Sequence, residues 1–81
     1  MSKLDKLIQK FLSRPPSVRF DEVETLLKAF GFEQARVKGS HHTFRRPNDG
    51  LKITVPTKGG RMVKRTYVIQ IIDLLNLDHE D

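Results

Sequence analysis

The chain has 81 residues, enough for one compact domain and too few for a catalytic domain with a separate regulatory one. It contains no cysteine, which excludes disulfides and thiolate metal sites and fits a reducing compartment. Lys plus Arg number 15 against 10 for Asp plus Glu, and the formal charge of +5 favours a polyanionic partner, nucleic acid or an acidic protein.

At the N-terminus, Met1-Ser2-Lys3-Leu4-Asp5-Lys6 alternates charge with leucine and lacks the continuous apolar stretch of a secretory signal. No apolar run approaches the roughly 20 residues that cross a bilayer. A cytoplasmic protein without a membrane partner is expected. Leu4, Leu7, Ile8, Phe11 and Leu12 recur on one helical face, with Ser2 and Asp5 as a capping signal and Pro15-Pro16 as a stop. A short extended stretch, Ser17 to Phe20, leads to a second helix. Asp21 is its expected cap, with Glu24 three residues on, and Val23, Leu26, Leu27 and Phe30 form its buried stripe. Gly31 suits the left-handed stop.

Three strands are expected next. Phe32 to Lys38 carries Ala35 and Val37 on one parity, Gly39-Ser40 is a turn, and His41 to Arg46 is the second strand. Pro47-Asn48-Asp49-Gly50 is a strong turn signal, and Leu51, Ile53 and Val55 alternate with polar residues in a third strand. Pro56 to Lys64 reads as a loop containing Gly59-Gly60. Thr66 is the expected cap of a last helix with Val68, Ile71, Ile72 and Leu75 inside, and Asp78-His79-Glu80-Asp81 reads as a frayed acidic tail. These elements predict an α+β fold: a three-stranded antiparallel sheet with helices on one face and the other face open. This is the α-β-β-β-α layout of double-stranded-RNA-binding-type domains, plus an extra N-terminal helix.

Few residues offer chemistry. There is no glycine-rich phosphate loop and no His-x-x-x-His metal pair, and neighbouring strand residues such as His41 and His42 point to opposite faces, so no metal or cofactor is expected. Strand parity puts His42 and Arg46 with Phe44 on the helix side, and His41, Thr43 and Arg45 on the open side, unless a bulge resets the register. A histidine beside cations suits RNA cleavage. RNA supplies its own 2′-hydroxyl nucleophile, histidine titrates near working pH, and lysine or arginine stabilises the charged phosphorus centre. The bland alternatives are that both histidines are surface polar residues, that the Lys58–Lys64 loop is only solvated, and that Tyr67 serves packing.

Several segments resemble the HicA toxin family: Phe20-Asp21-Glu22-Val23 through Leu26-Leu27-Lys28-Ala29-Phe30-Gly31-Phe32, then Gly39-Ser40-His41 followed by Phe44, then Leu51-Lys52-Ile53-Thr54-Val55-Pro56. In this order and spacing the match covers about Phe20 to Leu75. The resemblance implies one domain over residues 1–81, with an additional helix over 1–16 and a core over 20–77. It implies the toxin of a type II toxin–antitoxin system, acting in stress as a metal-independent endoribonuclease on messenger RNA and neutralised by a HicB-like antitoxin over the active face. It makes His41 the catalytic residue; some members place the histidine one position later, which is His42 here. Lys38, Gly39, Ser40, Arg45, Lys58, Arg61 and Lys64 are the expected RNA-binding residues. The chain departs from the family pattern at Lys58, where many members carry a second histidine, and at Arg65-Thr66-Tyr67. A non-catalytic RNA-binding module and an acidic-protein docking surface stand as the alternatives.

Overall fold

Residues 2–78 are those that the computed structural model describes. Helix α1 (Lys3–Leu12) opens on the expected reciprocal cap: the Asp5 N–H donates to Ser2 Oγ at 3.1 Å, and the Ser2 N–H to Asp5 Oδ2 at 3.4 Å. Phe11 is fully buried in the common core, with Leu4, Leu7, Ile8 and Leu12 packed against it.

The boundary that follows differs from expectation. Strand β1 (Ser17–Arg19) runs directly into α2 (Phe20–Ala29), so the helix starts at Phe20 and not behind an Asp21 cap. Glu22 is the serving carboxylate: it accepts the Arg19 N–H at 2.9 Å. Glu24 lies further along and pairs with Lys28 at 3.4 Å. Tertiary packing sets this start, because Phe20 is itself buried and β1 is held in a ladder just before it.

Gly31 ends α2 at φ +89, the left-handed conformation expected of it. Arg46 then clasps this corner. Its Nε and Nη2 donate to the Asp49 carboxylate at 3.0 and 2.7 Å, its Nη1 donates to the Phe30 carbonyl at 3.2 Å, and its guanidinium lies 4.9 Å from the Phe32 ring centre. The hydrogen bond from Arg46 holds the Asp49 carboxyl below its ordinary value. Arg46→Ala is expected to lower the thermal midpoint, and Arg46→Lys to leave it lowered, because an ammonium cannot make the planar fork. Equal midpoints for all three proteins in a thermal melt would remove the clasp from the stability account.

The expected meander is present. Strands β2 (Glu33–Lys38), β3 (His41–Arg45) and β4 (Lys52–Pro56) pair antiparallel in that order. Phe44, Ile53 and Val55 are buried on the helix side. Register slips by one residue in β2: Gln34 pairs with Phe44 and Arg36 with the adjacent Thr43, leaving Ala35 as the extra residue of a bulge. Ala35 and Val37 therefore do not form the simple alternation that their spacing implies. Val37, opposite His42, lies on the helix side but is 49 % exposed, because β2 overhangs the helical layer.

The stretch expected to be one loop contains a strand. Strand β5 (Met62–Lys64) pairs with β1 in a separate two-stranded ribbon that buries Val18 against Val63. Three residues give too short an alternation to read, and the partner lies far away in the chain. Helix α3 (Arg65–Leu75) follows at once, so Thr66 sits inside the helix and is not its cap. The Arg65 N–H instead donates to the Pro16 carbonyl at 2.9 Å, tying the helix start to the segment before β1. Val68, Ile71, Ile72 and Leu75 are buried as expected. Of the expected tail, Asp78 lies 3.7 Å from the Arg14 guanidinium, and residues 79–81 fall outside the described residues. Among the described residues no helix is long and apolar enough to cross a membrane.

Candidate nucleic-acid interface

With the helices on one side, the other side of the meander is bare, and the register arranges its residues in three cross-strand rows. Lys38, His41 and Pro56 form the first; Arg36, Thr43 and Thr54 the second; Glu33, Arg45 and Lys52 the third. His41 is exposed in the first row beside Lys38. Its placement follows from alternation against buried Phe44, three residues on. The Thr43 and Thr54 hydroxyls hydrogen-bond across the middle row at 3.1 Å. Arg45 is exposed at the far end of the same strand from His41.

Beyond the His41 row the sheet borders a cleft of about 380 Å³ lined by Ser40, Pro56, Thr57, Lys58, Lys64, Thr66 and Tyr67. Gly39 makes the turn beside it at φ +60. The Thr57 N–H donates to the Ser40 carbonyl at 3.0 Å, which fixes the turn against the end of β4. Lys58 closes a tight loop through two backbone hydrogen bonds with Met62, at 2.8 and 3.1 Å. These contacts bring Lys58 against Lys64. Neighbouring Lys64 holds the Lys58 pKa below the ordinary lysine value, first through a hydrogen bond that only a neutral amine could accept and then through its like charge. Two crowded ammonium groups in one cleft make a place for an anion. Half-buried Tyr67 packs against the core, as expected, and also lines this cleft.

His42 occupies the other face. Its ring lies 4.2 Å from that of Phe20, and its Nδ1 is buried with no hydrogen-bond partner among the described residues. Burial first, then Arg61, and to a lesser degree His41, push its pKa below 6.5, while Glu24 opposes them. Arg61 lies on this side of the molecule as well, its guanidinium 5.0 Å from the Phe20 ring centre and 3.7 Å from Asp21. Arg61 is thus drawn away from the open face and is not gathered with Lys58 and Lys64.

A ring whose pKa the fold lowers makes stability depend on pH. Between the lowered folded value and the unfolded value of about 6.5, the unfolded chain binds more protons at His42, so stability falls as pH drops through that window. Glu22 and Asp49 are held below their ordinary carboxylate values and so titrate at lower pH. Melts between pH 7 and 5 are expected to show a falling midpoint for the wild type and a flatter profile for His42→Phe. The same slope in both would contradict the assignment.

The expected site residues therefore divide. Lys38, Gly39, Ser40 and His41 adjoin one another; Lys58 and Lys64 line the neighbouring cleft; Arg45 lies along the strand; Arg61 is elsewhere. The cleft also holds Thr57 and Thr66, and the open face Arg36 and Lys52, none of them among the expected site residues. Parity marks Lys52, since it precedes buried Ile53, but Arg36 is hidden by the bulge.

Helix α2, the meander β2-β3-β4 and α3 define an α+β domain of the double-stranded-RNA-binding type, with an exposed histidine and cations on its uncovered sheet face. Comparison with curated proteins and with solved structures returned no match. The family model described as HicA toxin of bacterial toxin-antitoxin matches residues 20–77, and the chain belongs to that family. It is thereby the toxin component of a toxin–antitoxin pair, and an antitoxin is its partner.

Proposed function

We propose that this chain is a metal-independent endoribonuclease acting on messenger RNA in the cytoplasm, with His41 as its acid–base residue and a HicB-like antitoxin covering the open face. The observation that carries this reading is the position of exposed His41, beside Lys38 and bordering the cleft where Lys58 and Lys64 meet. His41 accepts the proton of an RNA 2′-hydroxyl as that oxygen attacks the adjacent phosphorus. The bond to the 5′-oxygen breaks, that oxygen takes a proton from water, and a 2′,3′-cyclic phosphate remains. Cations near the phosphate offset the charge that builds on its oxygens. His41 then returns its proton to solvent. His42 is the alternative residue, and its contact with Phe20 argues against it. We read residues 1–81 as one domain with a core over 20–77, and the burial of Phe11 from the added N-terminal helix supports this.

Single-stranded RNA incubated with the purified protein in EDTA is expected to yield fragments ending in cyclic phosphate. Intact RNA at protein excess would sink the proposal. One observation favours a non-cleaving RNA-binding module instead: no side-chain hydrogen bond orients the His41 ring among the described residues. Salt-sensitive binding with no cleavage would select that second reading.

A further inference from the structure

Charge is divided unevenly between the two sides of this sheet. Off the open face, Lys10, Arg14, Lys28, Arg46 and Arg61 each lie within 4.0 Å of a carboxylate, while Lys3, Lys6, Arg19 and Arg65 make no ion pair among the described residues. The open face carries Arg36, Lys38, Arg45 and Lys52 against Glu33 alone, and none of these four cations makes an ion pair among the described residues. The bulge at Ala35 matters here. Had Gln34 to Lys38 continued in regular register, Arg36 and Lys38 would alternate onto the helix side; the extra residue puts both on the face of His41.

We infer that Arg36, Arg45 and Lys52 form a phosphate-binding track leading away from His41, which holds the backbone of single-stranded RNA without reading its bases. The inference rests on the ribonuclease reading above and adds how substrate is held. Four strand steps from the His41 row to the Arg45 row span about 13 Å, and three strands span about 10 Å across. That patch matches a few nucleotides of one strand. Recognition of duplex RNA by this type of domain needs two successive minor grooves over about 16 base pairs. The face offers little on which successive bases could stack: His41 is the one aromatic ring in its three rows. Its residues are cations, threonines, Glu33, Pro56 and His41, with no Phe, Tyr or Trp platform and no Asn or Gln among them. Its unpaired cations suit phosphate, and phosphate contacts fix position without sequence information.

The test measures binding of the full-length protein to a labelled 2′-O-methyl oligouridylate, which lacks the nucleophile and stays intact. Fluorescence anisotropy is followed across a salt series. Each phosphate contact contributes about 0.7 to the slope of log affinity against log salt for a single strand. Arg36→Ala with Lys52→Ala is expected to lower the slope by about 1.4 on that basis, while Lys3→Ala with Lys6→Ala on α1 leaves it unchanged. An oligoadenylate is expected to bind within a few-fold of the oligouridylate, and a duplex more weakly.

An unchanged slope in the Arg36/Lys52 variant, or an equal drop in the Lys3/Lys6 control, overturns the track. Duplex binding as tight as single-strand binding, or a strong preference for one base, overturns the backbone-only mode. If the Arg36/Lys52 variant binds like wild type while Lys58→Ala with Lys64→Ala weakens binding, the track fails and the cleft reading survives. If wild type binds no RNA at low salt, the ribonuclease reading fails with it.

Discussion

His41→Ala is expected to cleave single-stranded RNA at least about 10²-fold more slowly than wild type, the usual contribution of a positioned acid–base group. His42→Ala is expected to change the rate little at a temperature where it stays folded. The two histidines are adjacent in the chain but face different surroundings. His41 is exposed on the bare sheet face, opposite Lys38 and Pro56. His42 packs against Phe20, and its Nδ1 is shut away from solvent. A phosphodiester can approach the first without displacing anything, whereas reaching His42 Nδ1 requires opening the contact with Phe20. Single-turnover cleavage of end-labelled RNA in EDTA separates the cases, with circular dichroism confirming that each variant is folded. A fast His41→Ala and a slow His42→Ala would transfer the role to the second histidine.

Phe11→Ala is expected to destabilise the protein by about 3–5 kcal/mol, the range for removing a buried phenyl ring. Small domains have only about 5–15 kcal/mol in total, and the thermal midpoint of a chain this size should fall by more than about 10 °C. The expectation is pointed because Phe11 lies on α1, outside the span 20–77 that matches the family. Its side chain is nonetheless at 0 % exposure, in the same core as Phe44, Leu26 and Ile71. An appendage would give the small change typical of surface substitutions, within about 0.5 kcal/mol. Urea titration distinguishes the two, and a midpoint near wild type would make α1 dispensable.

Much of this architecture is legible from local pattern. The stripes Leu4–Leu12, Val23–Phe30 and Val68–Leu75 each span several helical turns, and Ile53 and Val55 alternate cleanly. Misread features are those decided by tertiary contact. The start of α2 is drawn forward to Phe20 by burial of that ring, against the capping preference of Asp21. Strand β5 owes its existence to β1, and Arg65 finds its backbone acceptor at Pro16. At the site, alternation against Phe44 sorts His41 from His42. The position of Arg61 over Phe20 leaves no such trace, because its loop takes a positive φ of 58° that turns the chain there. Arg36 is hidden for a related reason: a one-residue bulge carries no compositional mark.

The ribbon of β1 with β5 also has a consequence for a nascent chain. Protein synthesis delivers α1, β1 and α2 well before β5 and α3 emerge, yet Val18 needs Val63 and the first N–H of α3 needs Pro16. Loop closure over so much chain is slow relative to local helix formation. The core therefore cannot close until β5 and α3 have been made. Lys64, Thr66 and Tyr67 join the cleft in that same closing event. A chain synthesised only as far as β4 holds His41 but not the cleft beside it.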